Sequence, residues 1–167
     1  FTWDTRSPGP WSSNARRSGQ GGPLVPPGTY SASLIVEGQA QVMREFEVIM
    51  DPRVVAEGIT VADVTEQAEF AAMVRDTYSA AARAVADLQA LQETNGALSG
   101  ELQAVWDALV TEPRRYSPPM LVDQLQYLYG NLQRADQRPS GDMKARYNEL
   151  AEELHGYLQT IAAQPND

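Results

Sequence analysis

His155 is the only histidine in this 167-residue chain, and cysteine is absent. These two facts exclude a multi-histidine metal site, thiolate ligation, a cysteine nucleophile and disulfides. Glu152-Glu153-Leu154-His155 does contain Glu-x-x-His, the helical spacing that di-iron bundles use. Such a centre takes that motif twice with two further glutamates, and here only one copy is possible. His155 is therefore expected to stand exposed on a helix. A serine triad would have to recruit His155, yet no Gly-x-Ser-x-Gly elbow accompanies it. Nor is there a phosphate-binding loop or a Gly-x-Gly-x-x-Gly turn after a strand, since Gln20-Gly21-Gly22-Pro23 follows no clear strand and ends in proline. Glycoside hydrolysis needs two carboxylates facing each other across a cleft. Pairs such as Glu149 and Glu153 lie one helical turn apart on what reads as a solvated face. The residues thus point to no enzyme: no catalytic residue, no metal and no cofactor are expected.

Recognition chemistry is better represented. Trp11 lies in a Pro/Gly-rich loop, and Arg16-Arg17 form a dibasic pair in the middle of it. These three are the candidate partner contacts. Each also has a plainer reading. A tryptophan of this kind can cap the edge of its own core, and a dibasic pair can be a protease site or simply solvated loop. Tyr127 and Tyr129 cannot share a helix face, and Tyr147 falls on an apolar stripe and reads as core.

Charge narrows the partners. Residues 1–53 hold five arginines and five acids, whereas residues 54–167 hold eight basic and seventeen acidic residues and so the whole net charge of -9. An acidic face repels phosphate backbones and anionic membrane surfaces, so the expected partner is protein, with no nucleic acid and no membrane span. No apolar run approaches the roughly 20 residues a spanning helix needs.

The elements that would carry these residues fall in two sets. Phe1–Arg6 alternates with a period of two and reads as a strand. Residues 7–28 are a Pro/Gly loop unable to hold a regular ladder. Gly28–Met50 reads as a hairpin, with a turn at Glu37-Gly38-Gln39. Tyr30, Ala32, Leu34 and Val36 share a face with Val42, Phe46, Val48 and Met50, and Arg44 and Ile35 break the pattern. Asp51-Pro52-Arg53 ends it. From Thr60 the period turns helical. The spacing predicts a first helix of about 30 residues stopping at Asn95-Gly96, in which Thr60 or Asp63 caps the start. It predicts a second helix closing at Pro113, a third capped by Ser117-Pro118 and running past Ala135, and a fourth capped by Ser140.

The expected fold is α+β: a partial antiparallel β-sandwich of about three strands, followed by an antiparallel bundle of about four helices. The sandwich strands occupy residues 1–53, a linker 54–59, the bundle 60–163 and a tail 164–167. A sandwich takes about seven strands, so the missing ones must come from elsewhere in a longer protein or from another chain adding to an open edge. Phe1 follows neither an initiating Met nor a signal pattern, as expected of a processed chain or part of a longer one.

Trp3-Asp4-Thr5-Arg6 with Pro8-Gly9-Pro10, then Gly22-Pro23-Leu24-Val25-Pro26-Pro27-Gly28-Thr29-Tyr30 and Asp51-Pro52-Arg53, resemble the C-terminal region of large secreted bacterial proteins with BNR-type, sortilin-like β-propellers. Gln124–Ser140 is similar to the helical ending of that family. The resemblance implies the last strands of an immunoglobulin-like sandwich, similar to flagellar hook-capping modules, then helices. It carries over no catalytic residue, because the chain holds no propeller and no Ser-x-Asp-x-Gly-x-x-Trp box. The expectation is a non-catalytic structural or protein-interaction module of a secreted or cell-surface bacterial protein, docking on its own upstream propeller or on neighbouring subunits. Two alternatives stay open. One is a subunit of an extracellular polymer, or another homo-oligomer, built by strand addition. The other is an accessory part of a glycoside hydrolase.

Overall fold

The structure is a computed structural model that describes residues 2–37 and 41–164. Phe1, most of the expected turn at Glu37-Gly38-Gln39 and the tail from Pro165 lie outside the described residues. The chain is mixed α and β, with a two-stranded antiparallel sheet and five helices among the described residues. The order is β1 (Gly28–Leu34), β2 (Val42–Val48), α1 (Pro52–Ala56), α2 (Val61–Asn95), α3 (Gly100–Leu109), α4 (Leu121–Leu132) and α5 (Gly141–Ala162).

α2 is the spine. Its 35 residues extend about 52 Å at 1.5 Å per residue. Thr60 and Asp63 close a capping box, each side chain accepting from the other's backbone N–H at 3.2 and 3.0 Å. The helix stops where Asn95-Gly96 predicts it, because Gly96 takes φ 79°, a left-handed conformation that a β-carbon disfavours. The three- and four-residue spacing predicts an apolar stripe of Val64, Ala71, Val74, Tyr78, Ala81, Val85 and Leu88, widened by Phe70 and Leu91; of these, Tyr78 and Val85 are half-buried, Leu91 is exposed and the rest are buried. Phe70, Ala71 and Val74 pack with Leu128, Tyr129 and Leu132 in one cluster. Ala81, Ala84 and Leu88 pack with α3, Leu121, Leu125, Leu150 and Leu154 in the other. Each of α2, α3, α4 and α5 touches the other three, and among the described residues neither strand comes into close backbone contact with a helix.

Four expectations are corrected. Among the described residues Thr2–Arg6 is not a strand and forms one isolated bridge, between Arg6 and Leu24. The Asp4 side chain accepts from the Arg6 N–H at 3.2 Å, Trp3 Nε1 donates to the Arg6 carbonyl at 2.9 Å, and Thr5 sits at φ 58°. Such a local turn competes with an extended run. The expected linker 54–59 contains most of α1, because Asp51 caps it by accepting from Arg53 N–H and Pro52 stands at its first turn. The third expected helix starts at Leu121 rather than after Ser117. Ser117 and Pro118 each precede a proline, which biases both away from helical backbone. That helix also ends at Leu132, short of Ala135. Gln67 on α2 takes over there: its Nε2 donates to the Leu132 carbonyl and, at 2.7 Å, to the Ala135 carbonyl, and its Oε1 accepts from Gln137 N–H at 3.0 Å. A buried amide with its donor and acceptor both used thus closes the end of α4.

Candidate interaction surface

Two segments on the N-terminal side carry the recognition residues. The first is the Pro/Gly loop, and it is docked rather than solvated. Its own backbone is laced by Ser7 N–H to Pro23 O (2.9 Å), Val25 N–H to Thr5 O (2.9 Å) and Gly9 N–H to Gly19 O (2.8 Å). Gly9 and Gly22 make that approach possible. A β-carbon at Gly22 would lie 1.7 Å from the Ser7 carbonyl oxygen, and one at Gly9 would lie 1.8 Å from that of Gln20. The loop is then fastened to the helices by polar contacts. Tyr129 Oη donates to Gly21 O at 2.9 Å, Arg75 donates to Pro8 O at 3.1 Å, and Arg6 donates to Gly22 O at 2.7 Å and to the Gln133 side chain at 3.1 Å. Burial pushes the Tyr129 hydroxyl above its ordinary pKa, against the lowering by Arg75 and Arg6.

Trp11 belongs to this docking. Its backbone N–H donates to Ser79 Oγ at 3.0 Å, and the Arg83 guanidinium stands 4.7 Å from its ring centroid. The side chain is half-buried against α2. Arg16 and Arg17 are exposed on a compact turn in which Arg17 and Ser18 N–H groups both donate to Asn14 O. The three candidate contacts therefore share one loop, with the tryptophan on the protein's own helix and only the two arginines projecting freely. His155 is exposed on α5, 2.9 Å from the Gln159 side chain.

The second segment is the hairpin. Its register pairs Tyr30 with Phe46, Ala32 with Arg44, Leu34 with Val42 and Gly28 with Val48. The alternation in the two strands thus falls in phase and makes one apolar face, with Ser31 opposite Glu45 and Thr29 opposite Glu47 on the other. That face is covered only at its base. Trp3 places its ring 5.7 Å from Tyr30 and 5.8 Å from Phe46, over both strands. Further out on that face Leu34 is 63% exposed and Val42 47%, while Met43, opposite Ser33 on the other face, is 56% exposed. The alternation of Trp3 with Phe1 predicts a strand residue. Its role as a lid has no sequence signal beyond aromatic character near other aromatics.

Between hairpin and helices stands a stapled corner. Arg53 grips the Asp51 carboxylate through both oxygens at 3.1 Å and holds it down at a pKa of about 2, by its side-chain hydrogen bonds before its charge. On the helices, Lys144 and then Arg138 of the α4–α5 side hold the Glu66 carboxyl below its usual range. Among the described residues no helix is long and apolar enough to cross a membrane. Comparison of the chain with protein-family models, with curated proteins and with solved structures finds no match.

Proposed function

We propose that this chain is a non-catalytic protein-interaction module whose hairpin supplies end strands of a β-sandwich and whose α2–α5 region is an antiparallel bundle that carries it. The observation that supports this reading is the bare apolar face of β1 and β2. A two-stranded sheet alone is marginal in water, and a sheet normally buries one face on a second layer. Among the described residues the helices do not provide that layer, while Leu34 and Val42 remain open to solvent. The resemblance set out above puts such a module in a secreted or cell-surface bacterial β-propeller protein, with that protein's own propeller or its neighbouring subunits as partner. A second reading, a subunit of a polymer built by strand addition, draws on the two open edges of the hairpin.

A photo-crosslinking residue at position 34, introduced in the cells that make the protein, tests the reading. The expected result is a single adduct whose digest contains an extended, apolar-polar alternating segment of an identifiable protein. Adducts no stronger than those from a control at position 153 on α5, or hydrolysis of any glycan by the isolated chain, would overturn it.

A further inference from the structure

We propose that the outer edge of β1 pairs antiparallel with the β1 edge of a second copy. The product is a closed two-fold dimer with a four-stranded sheet in which the two β1 strands lie inside and the two β2 strands outside. This inference rests on the reading of the hairpin as an interaction element and names the occupant of its β1 edge, leaving its apolar face to the partner proposed above.

The two edges of the hairpin differ in charge. β1, Gly28–Leu34, carries none, whereas β2 carries Arg44, Glu45 and Glu47 within seven residues. Charged side chains on an edge strand are the usual guard against added strands, so β2 is guarded and β1 is not. Self-pairing of the two edges differs in the same sense. Along β2, the three registers that overlap most of the strand centre on Arg44, Glu45 or Phe46. They set Arg44 against itself, Glu45 against itself, or Glu45 against Glu47, and like charges directly opposite destabilise a ladder. Along β1, a register centred on Ala32 sets Ser31 against Ser33 and Tyr30 against Leu34, with the small Ala32 side chains on the axis. Residues directly opposite in an antiparallel ladder project to one side, so the Tyr30–Phe46 faces of both copies join into one surface.

Among the described residues no further strand and no helix covers this edge. Trp3 lies over the sheet face, about equally far from Tyr30 and Phe46, rather than beyond β1. Antiparallel pairing also sets the base of each hairpin beside the tip of the other. The two helical regions then leave from opposite ends of the sheet, separated by the seven-residue strand, about 23 Å at 3.3 Å per residue. An interface made from the same edge on both copies closes on itself, and the charged β2 edges that remain outside do not propagate it. A dimer rather than a fibre is the consequence.

Sedimentation equilibrium of the full chain over micromolar to near-millimolar concentration tests this, together with thiol cross-linking. The chain has no cysteine, so each variant carries one thiol. The expected result is a monomer–dimer equilibrium that stops at two. Ala32→Cys should give a disulfide dimer on mild oxidation and Glu45→Cys should give none. Ala32→Glu, at an exposed position, should weaken the dimer at least tenfold with an unchanged helical circular dichroism spectrum. A monomer at every concentration, species that grow beyond the dimer, or cross-linking through position 45 in place of 32 would each overturn the inference. A monomer that still forms the position-34 adduct with another protein would lose the dimer and keep the interaction reading; loss of both would remove the two together.

Discussion

The loop over residues 7–27 offers little apolar side-chain surface, yet Pro8, Trp11, Gly21 and Gly22 are all held against the rest of the protein by Arg75, Ser79, Tyr129 and Arg6. The hairpin that follows is far richer in Leu, Val, Ile, Met and Phe, yet its strands make no close backbone contact with a helix among the described residues. Hydropathy alone would have assigned the two segments the other way round. The difference is in where each segment's bonding capacity is spent. The loop offers backbone carbonyls to donors on α2 and α4, and two glycines let its strands of backbone meet without side chains between them. The hairpin pairs its backbone strand to strand along one edge of each strand, and its outer apolar side chains, Leu34 and Val42, stay exposed among the described residues. A segment that is polar and anchored is part of the structure; one that is apolar and bare is the part available to something else.

This contrast breaks most readily at Gly22. Replacement by alanine puts a β-carbon 1.7 Å from a backbone oxygen that has no flexible end to yield. We expect a loss of about 2–3 kcal/mol, a range typical of strained or overpacked sites. In thermal denaturation that is a drop in Tm of roughly 4–12 °C for a chain of this size. Trp11→Ala should cost less, about 1–2 kcal/mol, from the cation–π contact and the covered surface of α2. Its readout is the same melt, and an unchanged Tm would mean that the loop is not anchored through this ring.

On the other side of the comparison, Leu34→Ser with Val42→Ser should leave the melt within about 0.5 kcal/mol, as for surface changes. The same double variant should reduce binding of a hydrophobic dye, which the loop variants should not do by this route. A large loss of stability would mean that the hairpin face is covered inside the chain. The smallest effect expected is on pH. The Asp51 carboxyl lies lower in the folded protein than in the unfolded chain, so its contribution is fully present above about pH 4. It is lost as the pH falls through about 2. Carboxyl NMR should therefore show Asp51 titrating near 2, and in Arg53→Ala back in the ordinary aspartate range. Amide exchange in α1 should quicken across the same window.

Much of the helical half was readable. The Thr60–Asp63 box, the Asn95-Gly96 stop and the Ser140 cap are local chemistry within three residues, and the apolar stripes of α2 to α5 follow from a 3.6-residue period. The alternation in 28–36 and 42–50 likewise placed Tyr30, Leu34, Val42 and Phe46 on one face, as the register has them. Less was readable where distant groups decide. Gln67 has no periodicity to announce that it closes α4, and the sequence leaves Trp11 open between a partner contact and a cap on its own core, because nothing in its neighbourhood names Ser79 or Arg83, some seventy residues on. Thr2–Arg6 alternates like a strand, but the Asp4 turn outweighs that alternation over so short a run.

What the sequence determined by itself was everything governed by neighbours along the chain: caps, stops, faces and the neutral and charged strands of the hairpin. These depend on side chains within a few residues of one another, so composition and spacing are enough. Only the tertiary structure decided which surfaces are used up. Whether the loop or the hairpin lies against α2 depends on hydrogen bonds and close backbone approaches between residues far apart in the chain, and those contacts leave no period to read.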